Sequence, residues 1–367
     1  IAFVIFLTFI RKMRCSMEWC RYCVFILLIA FCVPKASYAE EAEEHNDFNT
    51  VEYIFEHVND SHEIFFFSTS TVKVAIPLPV ILYSPNSGWH FFSSRKLYSN
   101  NESFPFFIAK EGENKDKIIE KLSEGSEIVP FDLSITKTVA GMIVVALLLV
   151  IVLVKASSRA RKNPLAVPRG LQNLVEPVVN FIREDIAIPF IGARHVCYLP
   201  FLLTMFFFIL VSNLIGLVIP LGINITGNIA VTFVLAFFTF VITSVSGNRQ
   251  YWSHIFNPPD VPWFMKLPIP LIPFVEFMGI FTKPIILMVR LFANMFSGHM
   301  IVAVLIALIF LMSSVFNLVV GVGTSLISVL FSVFIITVDI LVSFIQAYIF
   351  TVLSAMYFGT ATSEVKH

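Results

Sequence analysis

The stretch FVEFMGIFTKPIILMVRLFANMFSGHMIVAVLIALIFLM, Phe274–Met312, runs for 39 residues with Glu276, Lys283, Arg290 and His299 as its only ionisable side chains. As a helix it reaches roughly 58 Å, against a bilayer hydrocarbon core of about 30 Å. A second apolar run, Thr324–Phe358, follows Asn317–Gly323, a glycine-bearing segment without charge that suits an outward-facing hairpin turn. Two such runs joined by a short turn predict a transmembrane hairpin that is strongly tilted or broken.

Working back from the hairpin, Ile229–Ser246, Val196–Ile219 and Ile135–Val154 are each long and apolar enough to span. The uncharged loop Pro220–Asn228 then faces outward, and the proline-rich stretch Asn257–Pro273, with Arg249 and Lys266 nearby, faces the cytoplasm. After the first span come Lys155, Arg159, Arg161, Lys162 and Arg169 without an acid, which the positive-inside rule places in the cytoplasm. Leu171, Leu174, Val175, Val178, Val179, Ile182 and Ile186 recur at helical spacing opposite Gln172, Glu176, Arg183 and Asp185, the pattern of a helix lying along the membrane surface. The expected fold is therefore an all-α membrane protein. It has five transmembrane helices, a surface amphipathic helix, a long tilted hairpin at the end and a small extracytoplasmic extension at the start.

Composition agrees, since 57% hydrophobic and 14% charged residues with a mean hydropathy of +0.83 lie outside the range of soluble domains. A net charge of zero argues against a nucleic-acid partner, which needs clustered basic surface. Charge is also unevenly placed: 17 of the 25 acids fall between Glu40 and Asp132. From Val196 to Thr362, by contrast, the only acids are Asp260, Glu276 and Asp339.

Residues 1–39 read as a secretory signal, with Lys12, Arg14 and Arg21 before an apolar run Cys23–Val33 and a small-x-small site at Ser37-Tyr38-Ala39. An uncleaved anchor is the other reading. Removal would leave Cys197 alone of the five cysteines, so no internal disulfide. Residues 40–134 form the acidic extension, with strand-like stretches Val72–Tyr83 and Trp89–Phe92 around the turn signal Pro85-Asn86-Ser87-Gly88. Its His45, His57, His62 and His90 lack metal-ligand spacing and are read as surface histidines. Residues 135–367 make up the membrane domain.

Polar groups inside the two final runs are few: Glu276, Arg290, Asn294, Ser297 and His299 on the first, Asp339, Ser343 and Gln346 on the second. An arginine at the bilayer centre costs about 2.5 to 3.5 kcal/mol on insertion scales, so each such residue is a functional candidate. Arg290, Asn294 and Ser297 share one helical face, with Glu276 nearly in line, and Asp339 and Gln346 share another. In an antiparallel hairpin one register sets Arg290 opposite Gln346 and His299 opposite Asp339. Arg290 is a fixed cation, whereas His299 and Asp339 exchange protons. The arrangement reads as a proton relay beside an electrostatic barrier. A structural ion pair between Arg290 and Asp339 is the plainer alternative, although the register separates them by about 10 Å along the axis.

The run Arg290-Leu291-Phe292-Ala293-Asn294-Met295-Phe296-Ser297-Gly298-His299 strongly resembles the signature of subunit a of F-type ATP synthases. Ser212-Asn213-Leu214-Ile215-Gly216-Leu217, Glu276 ahead of Lys283-Pro284, and Gln346-Ala347-Tyr348-Ile349-Phe350 extend the resemblance from about Leu171 to the C-terminus. It implies a non-catalytic proton-channel subunit of the bacterial inner membrane. Its partners would be a ring of c subunits, the b-subunit peripheral stalk, the remaining ATP synthase subunits and membrane lipid. It also implies that Arg290 separates two aqueous half-channels, that His299 and Asp339 line the outer one and Glu276 the inner, and that Asn294 and Gln346 flank the arginine. No glycine-rich phosphate loop, cofactor motif or metal site is present in the sequence, so nucleotide chemistry falls to partners. A secondary ion-coupled transporter, which would carry internal repeats, and a purely structural membrane subunit are the competing classes.

Overall fold

The computed structural model describes residues 60–68, 73–97, 104–109, 117–121, 127–162, 170–217, 223–256, 271–316 and 318–362. The signal segment expected at 1–39, residues 40–59 with His45 and His57, and the proline-rich stretch 257–270 lie outside the described residues.

The extension folds as short antiparallel strands: β1 (Glu63–Ser68), β2 (Lys73–Pro77), β3 (Pro79–Ser84), β4 (Gly88–Ser93), β5 (Phe106–Ile108), β6 (Ile118–Lys121), β7 (Glu127–Ile128) and β8 (Phe131–Asp132). Strand β1 pairs with β2, β3 lies between β4 and β8, and β6 lies between β5 and β7. The expected turn joins β3 to β4, closed by Gly88 at φ +80°, a backbone state that L side chains rarely adopt. Alternation along β3 buries Val80, Leu82 and Ser84 and leaves Tyr83 out. The inner residues pack with Leu97, Phe106 and Ile118. Glu120 is buried here, and the Ser84 and Ser87 hydroxyls donate to its carboxylate, the latter at 2.6 Å, which satisfies an otherwise costly charge. Of the histidines, His90 packs its ring 4.9 Å from that of Phe106, and His62 Nε2 lies 3.1 Å from Asp132 Oδ2.

Burial raises the Asp132 carboxyl, but hydrogen bonds from His62 and Ser134 outweigh it and hold the group below its ordinary 3.8. A depressed carboxyl stabilises the fold above its unfolded value, and that contribution disappears as pH falls through the folded one. The β module is therefore expected to loosen in acid below the ordinary carboxylate range, read by near-ultraviolet circular dichroism. Asp132→Asn should remove that acid step, and an unchanged acid profile would contradict the assignment.

The module passes directly into the first membrane helix. Leu133 N–H donates to Ile81 O at 3.0 Å and Ile135 N–H to Pro79 O at 3.2 Å. Helix α1 then starts at Lys137, later than the expected Ile135, because Ile135 is held in the strand ladder; it runs to Lys162, eight residues past Val154. Two of its orphan N-terminal donors are capped from β1's approach: Lys137 N–H by Ser61 O at 2.9 Å and Thr138 N–H by Asp60 Oδ1 at 3.2 Å.

Helix α2 (Leu171–Phe181), a π segment (Ile182–Ala187), α3 (Ile188–Ile191) and a 3₁₀ turn (Gly192–Arg194) lead into α4 (His195–Gly216). Gly192, at φ +72°, breaks the direction between α3 and α4. The apolar stripe of α2 and the π segment does not face lipid alone. Val175, Ile182 and Ile186 join a buried cluster with Leu149, Leu153 and Ala156 of α1, while Leu171 and Leu174 stay exposed. Helix α5 spans Ile229–Ser246 as expected, and Asn228 caps it through Oδ1 to Ala230 N–H at 3.0 Å.

A short helix α6 (Arg249–Phe256) was not foreseen from the sequence. Before it, Asn248 donates through N–H to Ala361 O at 3.0 Å and through Nδ2 to Thr362 O at 3.1 Å, satisfying carbonyls at the end of the last helix.

Helices α7 (Leu271–Val315) and α8 (Leu318–Thr362) form the hairpin, 45 residues each and unbroken even at Pro284. Each is roughly 67 Å long, so tilt rather than a break accommodates them. The expected turn Asn317–Gly323 is a correction: helix resumes at Leu318, and Gly321 lies inside it. A β-carbon at Gly321 would come within 2.7 Å of Ser313 Cβ, so this glycine permits close helix approach rather than a turn. Among the described residues, five helical stretches are long and apolar enough to cross a membrane.

Candidate functional site

The hairpin positions the polar residues by register and helical phase. Asp339 of α8 lies over Gly298 of α7: a β-carbon at Gly298 would sit 2.5 Å from Asp339 Oδ2 and 3.0 Å from its Cγ. The adjacent His299 turns toward α4, with Nε2 3.4 Å from where a β-carbon on Gly216 would be. Glycine at both places opens room for an ionisable side chain between packed helices. Ser343 Oγ donates to Asp339 O at 2.7 Å, which ties off that hydroxyl within α8.

Arg290 lies nine residues before His299, half a turn out of phase, so the two point to opposite sides of α7. Arg290 is exposed, as are Ala293 and Ser297, while Leu291 and Met295 on the other side are buried. Asn294 is half-buried beside them, and Ser297 Oγ donates to Asn294 O at 3.1 Å. Gln346 is buried on α8. The alternative of a structural ion pair fails, since among the described residues no carboxylate pairs with Arg290. Glu276 falls within α7, and its side chain lies outside the described residues.

Two polar groups went unnoticed in the sequence as site candidates. One turn before Gly216, buried Asn213 accepts a hydrogen bond from Thr226 Oγ1 at 2.6 Å, and Asn224 Oδ1 accepts from Gly227 N–H at 2.8 Å. Ser212 Oγ, Asn213 Nδ2 and Asn224 Nδ2 have no protein partner among the described residues, a donor and acceptor set suited to water. At the opposite end of the hairpin a small cleft is lined by Thr239, Thr243, Tyr251, Lys283, Tyr357 and Thr360. There Lys283 Nζ lies 5.5 Å over the Tyr357 ring, and Thr239 Oγ1 is 3.5 Å from Ser354 Oγ. The i, i+4 spacing of Thr239 and Thr243 in an otherwise apolar span was the available signal.

One open face bearing a fixed cation, with ionisable and polar groups leading away behind it, is what a stationary ion path requires. The family model described as ATP synthase A chain matches residues 139–359. The chain belongs to that family. Among relatives of this family, "ATP synthase subunit a" of Chlorobium phaeobacteroides is 42% identical over 244 residues, 65% of this chain and 68% of the relative. The protein of the same description from Chloroherpeton thalassium is 41% identical over 248 residues, 66% and 70% of the two chains. That from Myxococcus xanthus is 39% identical over 260 residues, 67% and 81%. Residues 53–134 match a second model, described as a domain of unknown function (DUF8433).

Proposed function

We propose that this chain is the proton-channel stator of the membrane sector of a rotary ATP synthase, passing protons by two half-channels to and from carboxylates on a ring of c subunits. The observation that carries this is the split across α7: Arg290 exposed on an open face flanked by small Ala293 and Ser297, His299 and Asp339 on the packed side. Small residues let a neighbouring helix approach closely. The fixed cation favours the charged form of a passing carboxylate and so drives proton release.

In this reading His299 and Asp339, with the Asn213–Thr226 pair beside them, line the outer half-channel. Glu276 and the cleft at Thr239, Thr243 and Tyr357 serve the inner one, and Asn294, Ser297 and Gln346 flank the arginine. The chain performs no nucleotide chemistry; catalytic subunits of the complex do. It sits in the cell inner membrane with the basic end of α1 in the cytoplasm and the β module outside. It contacts the b-subunit stalk and the rest of the complex as well as the ring. Residues 1–39 act as the signal segment, 40–134 as the extracytoplasmic extension and 135–367 as the channel domain.

An exchange tests the outer path. A chain carrying His299→Asp together with Asp339→His is expected to retain more ATP-driven proton pumping in vesicles than His299→Ala alone, because a neighbouring acid and imidazole are restored in reversed order. Equal loss in the two variants would overturn their shared role.

A further inference from the structure

The sheet β4-β3-β8 has one face turned into the module and another left open. The open face carries Tyr83, Trp89, Phe91 and Phe131, exposed by 42%, 57%, 71% and 47% respectively. They form a continuous aromatic surface: Trp89 and Phe131 each pair across the sheet with Tyr83, and the Trp89 ring lies 5.0 Å from Tyr83 and 6.2 Å from Phe91. No charged residue of β3 or β4 shares that face.

We propose that this aromatic face docks onto the phospholipid surface of the outer leaflet and holds the β module flat against the membrane. The proposal rests on α1 crossing the bilayer with the module outside, not on the proton path. Three observations favour lipid as the occupant. Strand β8, which carries Phe131, runs through the sheet ladder directly into α1, whose Ile143, Val144, Leu147 and Ile151 lie open. The ladder from Ile81 and Pro79 to Leu133 and Ile135 places the aromatic rows at most four to six residues before the helix begins. At about 3.3 Å per residue, that is no more than roughly 20 Å of chain.

The third observation is charge. Arg95 and Lys96 follow β4 at the end of the sheet nearest the helix, and both are exposed. A basic pair at the helix end of the sheet, with tryptophan and tyrosine at its turn end, is the composition of an interfacial anchor, cations to phosphates and amphipathic rings to the headgroup boundary. Two basic groups add roughly a 30-fold preference for an anionic surface.

The test uses the whole ATP synthase complex reconstituted in phosphatidylglycerol–phosphatidylcholine vesicles. Trp89 emission is taken as the difference between the intact complex and one carrying Trp89→Phe. Lipids spin-labelled near the headgroup should quench that emission more than lipids labelled deep in the chain, and aqueous iodide should reach it poorly. Arg95→Ser with Lys96→Ser should weaken the shallow quenching in anionic vesicles and leave it unchanged in neutral ones. Ready quenching by iodide would mean a solvent-facing surface and overturn the proposal. Protection from both lipid and iodide would mean a covering protein and overturn it equally. Failure of α1 to cross is distinguished by protease access to the β module from both sides of the vesicle.

Discussion

Arg290→Ala is expected to abolish ATP-driven proton pumping in membrane vesicles while ATP hydrolysis by the detached catalytic sector continues. The argument is electrostatic. A cation about 4 Å from a carboxylate favours the ionised form by about 4 kcal/mol at an effective dielectric of 20. That is about a 1000-fold change in ionisation, since each 1.36 kcal/mol is tenfold. Without it, a passing carboxylate keeps its proton, and rotation no longer exchanges protons with one side before the other. Arg290→Lys is not equivalent, because a lysine deprotonates when buried and lacks the guanidinium fork. Normal pumping by Arg290→Ala, measured as acidification of the vesicle lumen, would remove Arg290 from the mechanism.

The second large effect is expected at Gly298. A β-carbon there would fall 2.5 Å from Asp339 Oδ2, within a distance that real contacts do not reach. Alanine must displace Asp339 or separate α7 from α8, and valine must do both. Overpacking of this kind costs about 1 to 3 kcal/mol, and the displaced side chain is the acid of the outer path. Gly298→Val is expected to lose most pumping with the complex still assembled, and Gly298→Ala to lose less. Gly279, which has open space around it, is the control: Gly279→Ala should pump normally. Equal activity at both glycines would show that the Asp339 contact has no role in transport.

The hairpin was legible because its signal is physical length: 39 and 35 apolar residues cannot stand upright in a bilayer. Its register was also accessible. Ionisable residues are too costly in lipid to be scattered, so setting His299 against Asp339 located the approach that Gly298 and Asp339 make. The turn is not legible in the sequence because Gly321 and Gly323 suit a loop as readily as a close helix contact, and at Gly321 only the neighbouring Ser313 distinguishes the two. The pattern of a surface helix fits α2 because an apolar stripe looks the same whether lipid or protein covers it; α2, with Val175, packs on α1, and the π segment, with Ile182 and Ile186, packs on α4 and α8. The pair Asn213 and Thr226 is joined by a hydrogen bond across a loop, which no local spacing encodes. Thr239 and Thr243 read as ordinary span residues because their hydroxyls bond within their own helix, and the contact of Thr239 with Ser354 joins two distant helices.

The β module contributes a rigid start to the channel domain. Asp60 and Ser61 cap α1, and a β-carbon at Gly141 of that helix would meet Ile223 Cγ2, so the outward loop 223–228 rests directly on α1.

The claim at the centre is that the Arg290 face of α7 lies against a moving ring. Ser297→Cys, one face position from Arg290 and exposed, is the direct probe, with a cysteine placed one helical turn from the ring carboxylate and Cys197 replaced by serine. Oxidation of the intact complex is expected to join the two chains and stop rotation, with both reversed by reductant. Absence of any cross-link at Ser297→Cys, while a cysteine at a position on the opposite side of α8 joins the ring, would contradict it.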